Sequence, residues 1–148
     1  MSLLSQCVNL STLVLTGNKE VTLDSLQTIV EALPELRVVD VTVNHSKKIT
    51  MDYGDHIKWP SQMESLSIKI DNKYYSFNIP KNLVHFELTY NEPEPVYHCI
   101  IIANYEDLFT EKLKSCNVFG VSANAKCVEK MSECCPNLEV NKRCFCEC

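Results

Sequence analysis

Five copies of one short hydrophobic phrase recur along this chain, and they constrain its fold more than any other feature. Each copy follows the pattern apolar-x-x-apolar-x-apolar-x-x-Asn, with Asp in the last position once. The copies are Leu10, Leu13, Leu15, Asn18; Leu36, Val39, Val41, Asn44; Met63, Leu66, Ile68, Asp71; Leu83, Phe86, Leu88, Asn91; and Cys116, Phe119, Val121, Asn124. Their first positions are 26, 27, 20 and 33 residues apart. Such a period predicts a row of similar coils that cover one another.

A second recurring feature is an apolar residue followed directly by proline. Proline cannot continue a helix, and it holds the residue before it in an extended conformation. The step therefore predicts where a connecting segment ends and the next strand begins. It occurs at Leu33-Pro34, Trp59-Pro60, Ile79-Pro80 and Cys135-Pro136.

The phrase resembles the leucine-rich repeat motif, L-x-x-L-x-L-x-x-N/C, over about residues 7 to 141. The resemblance implies an α/β solenoid with a curved parallel sheet on its concave side and mixed helix and extended segments on its convex side. Length and composition agree with one domain over residues 1–148, with about five to six repeats. The few residues before the first copy are too short for a terminal cap, which is consistent with a fragment of a longer protein. The stretch 77–80 is also similar to the FNIP repeat, and the step 135–138 looks like the repeats of F-box proteins.

Side chains on a strand alternate between two faces, so the fourth and sixth positions of each copy are predicted to point into one shared interior. The residues between them point outward. The closing Asn or Asp suits a turn, because its short side chain can hydrogen-bond backbone groups that the bending chain leaves unpaired. Stacked copies would then form a ladder of Asn side chains.

The connecting segments differ from one another. Three-and-four spacing predicts a helix over residues 23–33, with Thr22 or Asp24 as its N-cap and Pro34 as its stop. The same spacing predicts a helix over residues 105–113 with Asn104 as its cap, preceded by a strand-like run at 96–103. Alternation predicts extended segments at 49–53 and 75–79.

A sixth copy is predicted to begin and then fail. Residues 128–135 show helical spacing and lead through Pro136 to Leu138, as residues 26–33 lead through Pro34 to Leu36. However, Asn141 and Arg143 stand where two apolar residues belong.

Length, composition and net charge limit the functions that the sequence is expected to have. At 148 residues and 45% hydrophobic content, the chain can bury one elongated core. A formal charge of −5 argues against nucleic acid as a partner. No apolar run is long enough to span a membrane, and the first 18 residues lack the features of a signal peptide. We therefore expect a monomeric protein of the cytoplasm or nucleus.

A curved repeat array presents its outward strand positions to partners. We therefore predict that this surface binds a protein, and the resemblance to F-box proteins implies a substrate-recognition part of a ubiquitin ligase adaptor. Among these positions, charge and imidazole at Asp40, Glu87 and His85 are the strongest candidates for partner specificity, with Tyr90 as an aromatic anchor. The predicted partner-binding residues are Val38, Asp40, Thr42, Ser65, Ser67, Lys69, His85, Glu87, Thr89 and Tyr90.

Nine cysteines allow an alternative, a metal- or redox-responsive module. Three of them lie in the Cys-rich tail at 142–148, as Cys144, Cys146 and Cys148, and are weak candidates for zinc. Residues two apart on an extended strand are roughly 6.6 Å apart, whereas zinc needs sulfurs about 4 Å apart, so an extended tail does not suit the metal. The paired C-x-x-C signature of zinc sites is also absent from the sequence.

Catalytic motifs are also absent from the sequence. The four histidines lack a metal-binding spacing, the three glycines form no phosphate-binding loop, and no serine lies in a nucleophile elbow. We therefore predict that the protein is not an enzyme, has no catalytic residues and needs no cofactor.

Overall fold

The computed structural model describes residues 6–17, 21–43, 57–70, 74–90, 99–102, 105–108, 110–118 and 133–140. Its main feature is an open parallel sheet of six strands in the order β1-β2-β3-β5-β7-β8, beside a two-stranded parallel sheet of β4 and β6. The predicted α/β class with a parallel sheet is therefore confirmed. The strands are β1 (Thr12–Leu15), β2 (Val38–Val43), β3 (Ser65–Ile70), β4 (Tyr74–Phe77), β5 (His85–Tyr90), β6 (Cys99–Ile102), β7 (Ser115–Val118) and β8 (Glu139–Val140).

The register of the larger sheet places equivalent apolar residues side by side. One such row is Leu13, Val39, Leu66, Phe86 and Cys116, all at most 5% exposed. A second row contains Leu15, Val41, Ile68 and Leu88, of which only Leu15, on the edge strand, is partly exposed. The predicted inward positions of the first four copies are confirmed, and the apolar rows form one continuous core.

Helix α1 (Leu23–Ala32) connects β1 to β2 and covers the core with Leu26 and Val30. It begins with a reciprocal cap: the Thr22 hydroxyl accepts from the Ser25 amide at 3.2 Å, and the Thr22 amide donates to the Ser25 hydroxyl at 2.8 Å. It ends at Leu33, before Pro34. The predicted helix is confirmed, with Thr22 and not Asp24 as its N-cap.

Several of the turns before the strands share one hydrogen bond. In four of them, the first apolar residue of the repeat donates its amide to the carbonyl three residues earlier. This bond joins Leu36 to Leu33, Met63 to Pro60, Leu113 to Thr110 and Leu138 to Cys135. Three of these turns contain the predicted apolar-proline step, which confirms that the step precedes a strand.

Hydrogen bonds between neighbouring coils link these turns. The indole of Trp59 donates to the Asn78 carbonyl at 2.8 Å, and the Asn78 side chain donates to the Ile57 carbonyl at 2.8 Å. The Asn of the stretch 77–80 therefore fastens the turn that follows β4 to the turn before β3.

The prediction for the fifth copy is wrong by three residues. Cys116 pairs with Phe86 and so holds the fourth position of the repeat, not the first. The first position belongs to Leu113, which is fully buried, and Val118 pairs with Leu88 at the sixth. Two apolar phrases overlap here, one beginning at Leu113 and the other at Cys116. The structure follows the phrase that begins at Leu113, because its residues continue the apolar rows of the preceding strands. Phe119, Val121 and the residues of the predicted ladder (Asn18, Asn44, Asp71, Asn91 and Asn124) lie outside the described residues.

The prediction of a helix over residues 105–113 is also wrong. The chain forms a single 3-10 turn at Tyr105–Leu108, and Leu113 belongs to the next repeat. The strand-like run at 96–103 is confirmed over its described residues, Cys99–Ile102, which form β6. The extended segment at 75–79 is confirmed over most of its length as β4 and the buried Ile79. The segment 49–53 and most of 128–135 lie outside the described residues.

The sixth copy does begin, because β8 continues the sheet beyond β7. Its described part is Glu139–Val140, and its register places Val140, not Asn141, beside Cys116.

Candidate functional site

The outward strand positions form a surface on the side of the larger sheet opposite the core, which we call the open face. Register places these positions in three rows across the strands. The rows are Thr12, Val38, Ser65, His85 and Ser115; Val14, Asp40, Ser67, Glu87 and Asn117; and Thr42, Lys69 and Thr89. All except Thr42 are exposed or half-buried, so no described element covers this face.

The middle row contains an ordered hydrogen-bond network around Glu87. Its carboxylate accepts from the Ser67 hydroxyl at 3.3 Å and from the Asn117 amide at 3.1 Å. These partners lie on the strands to either side, β3 and β7. The half-buried carboxylate is therefore held in place from both directions.

Asp40 lies in the same row as Glu87, on the other side of Ser67. The two carboxylates are thus two strands apart, or roughly 9.6 Å between backbones. Within the described part of the chain, the Asp40 side chain makes no hydrogen bond or ion pair. The row consequently carries two acidic groups, and none of its described members is basic.

The other predicted polar residues lie beside this row. His85 is exposed, and its Nδ1 lies 3.2 Å from the Ser115 hydroxyl on β7. Lys69 is exposed one row beyond Ser67, with Thr89 next to it. Tyr90 is the last residue of β5 and pairs with Ile70, but its side chain lies outside the described part of the structure.

Thr42 differs from the other predicted partner-binding residues because it is buried, at 9% exposure. Its hydroxyl accepts a hydrogen bond at 3.3 Å from the amide of Gly17, which has a φ of +73°. Thr42 therefore fastens the turn that follows β1, and this role fits a structural residue better than a binding one.

The fifth strand contributes Ser115 and Asn117 to the open face. A fifth copy beginning at Cys116 would have put Val118, Gly120 and Ser122 at the outward positions, and the observed register excludes Val118, which pairs with Leu88. Asn117 was missed for this reason, although its place follows from strand alternation once Leu113 is taken as the first position of the repeat.

The described cysteines are divided between core and surface. Cys116 and Cys135 are buried, whereas Cys7 and Cys134 are exposed. Burial raises the pKa of the Cys135 thiol, which donates a weak hydrogen bond to the Leu108 carbonyl at 3.9 Å. The described ranges contain no group of three or more His, Cys, Asp or Glu that could hold a metal ion. Cys144, Cys146 and Cys148 lie outside those ranges, so the metal or redox alternative stays a prediction.

No family model, curated protein or solved structure matches this chain. None of the helices in the described ranges has the length and apolar character needed to cross a membrane. The function of this chain must therefore be inferred from its own structure, and the open face is the surface that supports such an inference.

Proposed function

We propose that this chain is a solenoid of the leucine-rich repeat type that binds a protein partner on its open face and catalyses no reaction. The shared parallel register supports the solenoid, because the same repeat positions lie side by side along five strands. The resemblance of the phrase to the family motif supports it independently. In such a solenoid the open face is the concave surface.

The observation that carries the binding proposal is the acidic row of the open face, in which Glu87 is held by hydrogen bonds. Glu87 is fixed by Ser67 and Asn117 before any partner arrives. Less side-chain freedom is then lost on binding, which favours affinity.

The charge of this row favours a basic partner. Asp40 and Glu87 lie in one row on a chain with a formal charge of −5. A protein surface with Lys or Arg side chains complements this row, and an Arg guanidinium can bond a carboxylate through two parallel hydrogen bonds. The ubiquitin-ligase adaptor role implied by the resemblance is a narrower form of this proposal, in which the partner is a substrate.

Charge reversal tests the proposal. We expect Asp40→Arg combined with Glu87→Arg to weaken binding of a basic partner by about tenfold or more, because like charges would then face each other. Partners captured from the native source by the wild-type chain are purified, and their dissociation constants are measured for each variant at low and high salt. Binding of the wild type should weaken as salt rises.

The matched control is Glu111→Arg combined with Glu133→Arg, which makes the same change in charge at exposed positions off the open face. This control should bind as the wild type does. Equal binding by the wild type and the Asp40/Glu87 variant would mean that the partner does not use the acidic row, and the proposal would be abandoned.

A further inference from the structure

Three charged side chains lie on three neighbouring strands of the open face. Asp40 is on β2, Lys69 on β3 and Glu87 on β5. Lys69 is two residues beyond Ser67, which lies between the two acidic residues. Strands are about 4.8 Å apart and rise about 3.3 Å per residue, so the backbone of Lys69 is roughly 8 Å from that of each acidic residue. The long, flexible Lys69 side chain can reach either carboxylate from this distance.

None of these three charges is paired with an opposite charge in the described part of the chain. The side chains of Lys69 and Asp40 make no ion pair or hydrogen bond with a described residue. Glu87 is held by two neutral groups, the Ser67 hydroxyl and the Asn117 amide. A positive charge therefore lies beside two negative charges without neutralising either of them.

A second pair of charges on the same two strands does form an ion pair. Arg37 and Glu64 directly precede β2 and β3, and the Arg37 guanidinium lies 3.1 Å from the Glu64 carboxylate. Their side chains are 55% and 53% exposed. Solvent exposure therefore does not by itself prevent opposite charges from pairing between β2 and β3. On the open face, by contrast, Asp40 and Lys69 both keep their charges available to a partner.

Lys69 does not suit a surface that recognises basic groups alone. A cation beside the acidic row lowers the attraction that the row exerts on a basic partner. Among the described members of the third row, which are Thr42, Lys69 and Thr89, only Lys69 is charged. It is therefore the group of that row to which a negative side chain of a partner can bind.

We propose that the open face binds an extended protein segment that carries a basic and an acidic side chain on the same side, about 7 Å apart, which is the spacing of residues two apart on a strand. The segment runs along β3. Its basic side chain lies over Ser67, between Asp40 and Glu87, and its acidic side chain pairs with Lys69. This occupant is a narrower form of the basic partner in the proposed function, on which the inference rests.

The order of the three charges also excludes other partners. A segment with two basic side chains at this spacing would place one of them against Lys69, and like charges at close range disfavour a complex. A segment with two acidic side chains would place one of them between Asp40 and Glu87. Only a segment with one charge of each sign finds an opposite charge at both positions.

Selection from a random library of short peptides displayed on phage tests the proposal with the full 148-residue chain as bait. Peptides selected by the wild type should be enriched in a basic and an acidic residue two positions apart. Peptides selected by Lys69→Glu should keep the first basic residue and lose the acidic one. Enrichment of basic residues alone by both chains would overturn this inference and leave the proposed function standing. A selection that yields no peptide dependent on Asp40 and Glu87 would overturn both.

Calorimetric titration with one selected peptide measures the sign of the effect. We expect the dissociation constant to rise about tenfold or more in Lys69→Glu, because the acidic residue of the peptide then meets a like charge. Replacing that residue of the peptide with Lys should restore the affinity for Lys69→Glu. If the open face recognised only basic side chains, Lys69→Glu would instead tighten binding by adding a third acidic group. That result would overturn the inference.

Two further variants control the measurement. Lys81→Glu makes the same change in charge at an exposed turn before β5 and should leave the dissociation constant unchanged. An equal effect of Lys81→Glu and Lys69→Glu would mean that only net charge matters, and the inference would be abandoned. Lys69→Gln removes the positive charge without adding repulsion beside Asp40 and Glu87, so it tests the same contact if Lys69→Glu does not fold. It should weaken binding by a smaller factor, with the circular dichroism of the wild type.

Discussion

The hydroxyl of Thr42 and the amide of Gly17 are 25 residues apart in the chain and 3.3 Å apart in space. Gly17 has a positive φ, which glycine adopts without the steric cost that a side chain would bring. The hydrogen bond from its amide fixes the turn after β1 against β2. Thr42 occupies an outward strand position, but its contact with the turn after β1 makes it a buried residue and not a surface one.

We expect Thr42→Val to lower the free energy of unfolding by about 1 kcal/mol, because it keeps the shape of the side chain but removes the acceptor for the Gly17 amide. Partner binding by the folded variant should not change. Thr89→Val is the matched control at a half-buried outward position without a hydrogen bond from its side chain to any described residue. Denaturant titration measures the stabilities, and loss of binding with unchanged stability would return Thr42 to the binding site.

Strand alternation was sufficient to predict that Asp40, Ser67 and Glu87 lie on one surface. Their hydrogen bonds could not be predicted, because Ser67 and Asn117 reach Glu87 only across strands that are 20 and 30 residues away in sequence. The burial of Thr42 could not be predicted either, because it depends on a turn that is 25 residues away in sequence. Sequence patterns specify which side of a strand a residue occupies, whereas its partners depend on register and on turns.

Helix α1 was predicted correctly because the spacing of its apolar residues, its N-cap at Thr22 and its stop at Pro34 all indicate the same helix. The segment at 105–113 shows the limit of such spacing. Leu108 and Leu113 are both buried, but one ends a 3-10 turn and the other begins a repeat. A few apolar residues at helical intervals are consistent with either arrangement, and packing against the neighbouring coil decides between them.

The cap of α1 provides a test at the level of the element. Thr22→Ala should lower the free energy of unfolding by about 1 kcal/mol, because the Ser25 amide loses its acceptor at the end of the helix. Thr28→Ala is the matched control, since its hydroxyl only donates to the Asp24 carbonyl on the exposed side of the same helix. Thermal or denaturant unfolding of both variants measures the difference. Equal losses would show that the cap adds nothing to the stability of the molecule.

Across the whole molecule, the repeats are held together by burial that each strand shares with its neighbours. Among the described strands, β3 has a neighbour on both sides, whereas β1 has a neighbour on one side. The sequence predicted the order of the first four repeats correctly because each carries one clear apolar phrase. It failed at the fifth, where the phrases beginning at Leu113 and Cys116 overlap and only the existing rows of the core distinguish them.

The same neighbour dependence predicts a gradient of stability across the sheet. Leu13 and Leu66 hold the same repeat position and are 5% and 1% exposed, but Leu66 lies at the centre of the sheet and Leu13 at its edge. Leu-to-Ala substitution in a core costs about 2 to 5 kcal/mol, and the cost grows with the cavity that remains. We expect Leu66→Ala to fall at the upper end of this range and Leu13→Ala at the lower end, because the edge can relax toward solvent. Denaturant unfolding measures both values. If Leu13→Ala cost as much as Leu66→Ala, the first strand would already be covered on its outer side. Stabilisation by the neighbouring described strands alone would then not account for the stability of β1.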